Sequence, residues 1–134
     1  MLTRIVLTIL ALAIPTNALA DEDLRLELNT AEAAQNRCRM SFLIENKGDR
    51  AVESFKLDLV IFGTENTMQR RMVIEIGPVR RAKTMMRTYE VERECTQIGA
   101  ILVNDVTSCS PGDPGSCLYQ LSLASRVGSI RIYK

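Results

Sequence analysis

The chain has 134 residues, of which 46% are hydrophobic but only 4% aromatic, and it contains no histidine and no tryptophan. Its 17 basic and 16 acidic side chains give a formal charge of +1, so no net field draws it toward nucleic acid or an anionic membrane. Without histidine the commonest general base is missing, and neither a Ser–His nor a Cys–His nucleophile pair can be built.

The first twenty residues have the pattern of a secretory signal. Met1 to Arg4 form a short cationic start, Ile5 to Ile14 a largely apolar run, and Pro15 leads to Ala18-Leu19-Ala20, whose small residues suit a signal peptidase. The run is too short for a bilayer span, which takes about 20 apolar residues, and no cysteine follows the cleavage site to carry a lipid. The expected product, Asp21 to Lys134, is one periplasmic or secreted domain with no membrane span, large enough to bury roughly two-thirds of the surface its unfolded chain exposes.

Leu24, Leu26 and Leu28 alternate with Arg25, Glu27 and Asn29, the period-two pattern of a half-buried strand. Thr30 to Asn36 is richer in alanine and reads equally as a turn of helix or a loop. Cys38, Met40, Phe42 and Ile44 form a second apolar row against Arg39, Ser41 and Glu45, ending at Asn46-Lys47-Gly48-Asp49, a turn in which Gly48 is free to take a positive φ. Phe55, Leu57, Leu59 and Ile61 alternate with Lys56, Asp58, Val60 and Phe62, giving a strand that is apolar on both faces near its end. Met72, Ile74 and Ile76 alternate with Arg71, Val73 and Glu75 in a more charged, edge-like strand that Gly77-Pro78 breaks. Lys83 to Val91 is expected to return as its hairpin partner. Its inward face is ambiguous because Met85 and Met86 are adjacent, and a bulge would account for that.

From Cys95 to Cys109 the chain is apolar on both faces, with Ile98, Ala100 and Leu102 on one side and Ile101 and Val103 on the other, as a central strand would be. Ser110 to Gly115 is dense in turn formers, and Leu118 to Tyr133 reads as a last strand returning beside it, with Gly128 a kink. About seven short strands predict an all-β fold, an antiparallel immunoglobulin-like β-sandwich. A small closed barrel is the alternative.

Cys38, Cys95, Cys109 and Cys117 are an even set in an exported chain, which argues for two disulfides. No pair has Cys-x-x-Cys spacing, so a four-thiolate zinc site is the weaker reading. Fourteen extended residue steps of about 3.3 Å separate Cys95 from Cys109 by roughly 45 Å, which excludes their pairing. If the last strand returns antiparallel, Cys117 starts beside Cys109, and Cys38 is left for Cys95. The expected bridges are Cys38–Cys95 and Cys109–Cys117.

Chemistry is harder to find. Asp58 and Asp105 are the best-placed acids for a carboxylate pair, but an outward strand face for Asp58 and a strand-end hydrogen bond for Asp105 are the stronger readings. Asp21, Glu22, Asp23, Asn104, Asp105 and Asp113 offer oxygen ligands for calcium without any fixed-spacing loop. No metal and no cofactor is expected. The most distinctive surface feature is basic: Arg70, Arg71, Arg80, Arg81, Lys83 and Arg87 crowd into eighteen residues. They either protect an edge strand from pairing or form a docking face for an acidic partner.

Leu24-x-Leu-x-Leu, Cys38-x-Met-x-Phe-x-Ile-x-Asn46, the aliphatic run Leu57 to Phe62 with Gly63, Gly77-Pro78, and Cys95 with Ile98-Gly99 and Val103-Asn104-Asp105 together resemble small exported proteins of alphaproteobacteria. The stretch from Asn46 to Gly63 is similar to bacterial extracytoplasmic immunoglobulin-like modules. The resemblance implies an envelope location and no catalytic motif. The expected function is a non-catalytic periplasmic binding or accessory module that contacts an envelope protein through the basic residues or an exposed strand edge. The alternatives are a small-ligand or ion carrier and a carboxylate-dependent hydrolase.

Overall fold

Alternating apolar and polar residues settle as strands wherever a second layer covers the apolar face. In the computed structural model the described residues are 23–134 and, before them, Ala13 alone, so the signal read over residues 1–20 otherwise lies outside the described residues. The strands are β1 (Leu24–Ala34), β2 (Arg37–Asn46), β3 (Ser54–Gly63), β4 (Met68–Glu75), β5 (Lys83–Val91), β6 (Ile98–Ser110), β7 (Leu121–Ser125) and β8 (Arg131–Tyr133), with helix α1 (Pro114–Gln120) before β7. They form two four-stranded sheets, ordered β5-β2-β1-β7 and β4-β3-β6-β8. The fold is an all-β sandwich.

The inner rows are those the sequence pattern marks. Leu26 and Leu28 of β1, Met40, Phe42 and Ile44 of β2, and Phe55, Leu57, Leu59 and Ile61 of β3 are all fully buried in one apolar cluster. Each large aliphatic or aromatic side chain enclosed there contributes about 2–3 kcal/mol. Residues 30–36 prove to be strand through Ala34. Gln35 and Asn36, at φ 50° and 64°, then make a two-residue hairpin turn whose left-handed backbone conformation suits the right-handed twist of the flanking strands.

The described residues hold eight strands, in line with the seven or so expected. Three expectations need correction. β4 and β5 do not form a hairpin: β4 pairs with β3 and β5 with β2, so the link between them crosses from one sheet to the other. That crossing runs through a cis Gly77-Pro78 bond, and Gly77 packs so tightly on β3 that a Cβ there would lie 2.8 Å from the Phe55 nitrogen. Residues 118–133 are not one returning strand but the end of α1 followed by β7 and β8, which pair parallel with β1 and β6 respectively. Ser125 makes the corner between them, its hydroxyl donating to the Ile130 carbonyl at 2.6 Å and accepting from the Val127 amide at 3.2 Å. Finally, no described glycine has a positive φ, so the turn after β2 is not held by Gly48 in the way expected.

β5 has a regular register against β2 with no bulge, and Met85, Arg87, Tyr89 and Val91 form its inward row. Arg87 belongs to that row because it sits at the open side of the sandwich, where its Nε donates to the Ile76 carbonyl at 3.3 Å and the Tyr89 hydroxyl donates to the Glu75 carbonyl. Register shifts fall elsewhere, one between β1 and β2 beside Leu28, one between β3 and β4 beside Ile61, and most of them along β6. Its 13 residues face the 10 of β3, with register shifts beside Leu57, Leu59 and Gly63. β6 does lie centrally, between β3 and β8.

Cys38 bonds Cys95, and Cys109 bonds Cys117. The first bridge ties β2 of one sheet to the short 3-10 turn, Cys95–Gln97, that leads into β6 of the other. The second has the expected partners for a different reason: Cys117 is the buried residue of α1, which folds back against the end of β6.

Candidate partner-binding surface

The six basic residues separate once their partners are visible. Arg71 grips Asp58 with two hydrogen bonds, Nε to Oδ1 at 3.0 Å and Nη2 to Oδ2 at 2.6 Å. Arg70 pairs with Glu92, which also takes Arg37 at 3.4 Å, while Arg37 and Arg39 share Glu90. Arg87 braces the sandwich edge. These three side chains are therefore committed within the protein.

Arg80, Arg81 and Lys83 are different. All three are exposed, and among the described residues none is in an ion pair. They lie where the link from β4 enters β5, and Asn46 joins that link to the loop after β2. The buried Asn46 amide donates to the carbonyls of Arg50 (2.9 Å), Val79 (3.3 Å) and Arg80 (3.2 Å), and its Oδ1 accepts from the Gly48 amide at 3.0 Å. Val52 and Val79 then exchange backbone hydrogen bonds of 2.9 and 2.7 Å. Exposed Arg50, which likewise has no ion-pair partner among the described residues, is thereby brought to the same end of the sandwich as Arg80, Arg81 and Lys83. Sequence reading missed Arg50 because thirty residues separate it from Arg80. The available signal was Asn46 closing an apolar row, a polar group that must find several partners if buried.

Beside Arg50 a recess of about 160 Å³ opens between the loop after β2 and the Cys109–Cys117 bridge, with Leu24 and Val52 among its walls and Asp23 and Asp49 among its polar groups.

The two acids singled out for catalysis stand directly opposite each other, Asp58 on β3 and Asp105 on β6. They are turned to separate uses. Asp58 is 4% exposed and takes Arg71 and the Asn104 amide, the latter at 2.8 Å, whereas the Asp105 carboxylate accepts from the Val106 amide at 2.8 Å. The Arg71 hydrogen bonds, then that from Asn104, hold the Asp58 carboxyl below the usual carboxylate range despite its burial. Of the other oxygen ligands considered for calcium, Asp113 caps α1 through Ser116, and Asp21 and Glu22 lie outside the described residues. All four cysteines are in disulfides, and no group of three or more potential metal ligands gathers among the described residues. No described helix is long and apolar enough to cross a membrane.

Glu27 is a second buried acid, 2% exposed on the outer side of β1. Asn29 at 3.1 Å, Arg126 at 2.8 Å and Arg25 at 2.9 Å surround it and hold its pKa below the ordinary value. Both acids have folded-state values lowered from the unfolded ones, so their stabilisation is complete above the ordinary carboxylate pKa of about 4 and is lost as pH falls through the lowered values. Urea midpoints measured at descending pH are expected to drop in that acid window, and replacing Glu27 and Asp58 together by their amides should flatten the drop.

The fold and surface define a disulfide-stapled all-β sandwich with one cationic loop end. Comparison with protein-family models, curated proteins and solved structures finds no match to this chain.

Proposed function

We propose that the protein is a non-catalytic binding or accessory module of the cell envelope, exported by the signal read in its first twenty residues, and that it docks an acidic protein partner on its cationic end. The observation that carries this reading is the convergence of Arg50, Arg80, Arg81 and Lys83, four exposed cations without ion-pair partners among the described residues, on two loops fixed by Asn46. Neighbouring arginines are neutralised by Glu92 and Asp58, which makes the unneutralised end selective in position and not only in sign. Two disulfides suit an oxidising compartment.

The hydrolase alternative needs a protonated acid of raised pKa, and Asp58 is shifted the other way. A carrier with its site between the sheets needs polar groups there, whereas the inner rows are apolar. The test is crosslinked recovery from periplasm with wild type and with Arg80→Glu and Arg81→Glu combined. The double charge reversal is expected to lower recovery of the specific partner about tenfold, a difference of about 1.4 kcal/mol, and added salt should weaken the wild-type complex. Equal recovery by both proteins would remove the cationic end from the proposal.

A further inference from the structure

At the other end of β3 from the cationic loops, a polar recess of about 340 Å³ lies between the turn after β3 and the turn before β6. Its walls include Thr64, Glu65, Thr67 and Gln69 from the first turn, and Arg93 and Thr96 from the second. The volume falls at the small end of ligand sites, which run from about 300 to 1,000 Å³.

Arg93 is the unusual member. Its Nε is enclosed and has no hydrogen-bond partner among the described residues. Arg71 and Arg126 direct the same Nε at carboxylates inside the protein. Enclosed as it is, that Nε is closed to a ligand, but among the described residues no ion pair takes the rest of the guanidinium, and its two Nη groups form a two-pronged donor edge that matches a carboxylate. An external carboxylate would take that edge from the recess that Arg93 lines.

The second charged group in the recess is Glu65. A single guanidinium together with a single carboxylate balances a ligand that carries both signs, and disfavours a multiply charged anion such as phosphate. The threonine hydroxyls and the Gln69 amide add donors and acceptors for a short polar molecule. The frame is also fixed before any ligand arrives. Cys95, beside Thr96, is bonded to Cys38; the first turn is closed by the Gly63 amide on the Thr67 carbonyl at 2.9 Å, with Asn66 at φ 60°. Gly99 locks the two turns together, since a Cβ there would meet the Gly63 oxygen at 2.8 Å. Such preorganisation lowers the ordering cost of binding.

We propose that this recess binds small zwitterions of the α-amino-acid type, with the ligand carboxylate on Arg93 and its ammonium toward Glu65. The experiment is isothermal titration of the folded, disulfide-bonded protein with individual free α-amino acids, acetate, inorganic phosphate and glucose. Saturable binding is expected for one or more amino acids, weakened at least tenfold by Arg93→Gln and also by Arg93→Lys, which keeps the charge but loses the fork. Glu65→Gln should weaken amino-acid binding while improving that of acetate. The Arg80 and Arg81 reversal should leave these titrations unchanged, which separates this site from the docking end. Absence of binding by every amino acid, tighter binding of phosphate than of any amino acid, or an affinity indifferent to Arg93→Gln would each overturn the proposal. If the Arg93 variants fail to fold, amide shifts of Thr96 and Gln97 in the titrated wild type decide the matter, and their constancy would overturn it.

Discussion

Replacing Cys38 and Cys95 together by serine is expected to lower the unfolding free energy by about 4 kcal/mol, against about 2.5 for the corresponding change at Cys109 and Cys117. The difference follows from the chain each bridge closes: the cysteines are 57 residues apart in the first and 8 in the second. The first also joins the two sheets, and Cys38 has no exposed surface, so serine would additionally bury a hydroxyl. Several kcal/mol is a large part of the 5–15 kcal/mol that stabilises a typical domain. Urea melts of oxidised wild type and the two double variants should therefore rank the Cys38–Cys95 loss as the more severe, and the reverse ranking would refute the assignment of roles.

The second large effect is expected at Asn46. Asn46→Ala removes a buried amide that serves three carbonyls and one backbone N–H, at a cost of about 2–3 kcal/mol. The consequence reaches beyond stability, because the same hydrogen bonds hold the Arg50 loop against the Arg80 segment. Asn46→Asp provides the control: it keeps an oxygen for the Gly48 amide but loses the donors. Both variants should melt earlier than wild type, and even where folded both should bind the acidic partner less well. A folded Asn46→Ala protein with undiminished binding would show that the cations are gathered by something other than this side chain.

Local pattern carried much of this fold. In β1, β2 and β3 one face is buried and the other is more polar, so period-two alternation identifies the inward rows of Leu26, Phe42 and Leu57. The cysteines were legible because their sequence spacing and an extended strand leave few pairings. Which strands become neighbours was much less visible. Gly77-Pro78 announces a change of direction, but a short link can return to the same sheet or step to a facing one about 10 Å away. The sequence between β4 and β5 does not distinguish these outcomes. Arg87 obscured the inward row of β5, since a charged residue can face inward at the open side of a sandwich where a backbone carbonyl receives it. Leu118 to Tyr133 hid a helix end and a change of sheet because each piece is too short to display a period. The candidate surface was half legible: Arg80, Arg81 and Lys83 were found as a cluster, but the pairing of Arg70 with Glu92 and of Arg71 with Asp58, and the arrival of Arg50, depend on contacts between distant segments.

The parallel placement of β7 on β1 and β8 on β6 bears on how the molecule is made. β1 is the first strand of the described chain, and the neighbour that covers its second edge comes nearly a hundred residues later, at Leu121. A chain growing from its N-terminus therefore assembles β1, β2 and β5 while one edge of β1 is still open, and β6 likewise waits for β8. Non-local closure of this kind slows folding, and an open strand edge can recruit a strand from another chain. The segment from Leu121 onward thus acts as the closing seam of both sheets, and the interval before it is available is when the protein is most exposed to mispairing with its own copies.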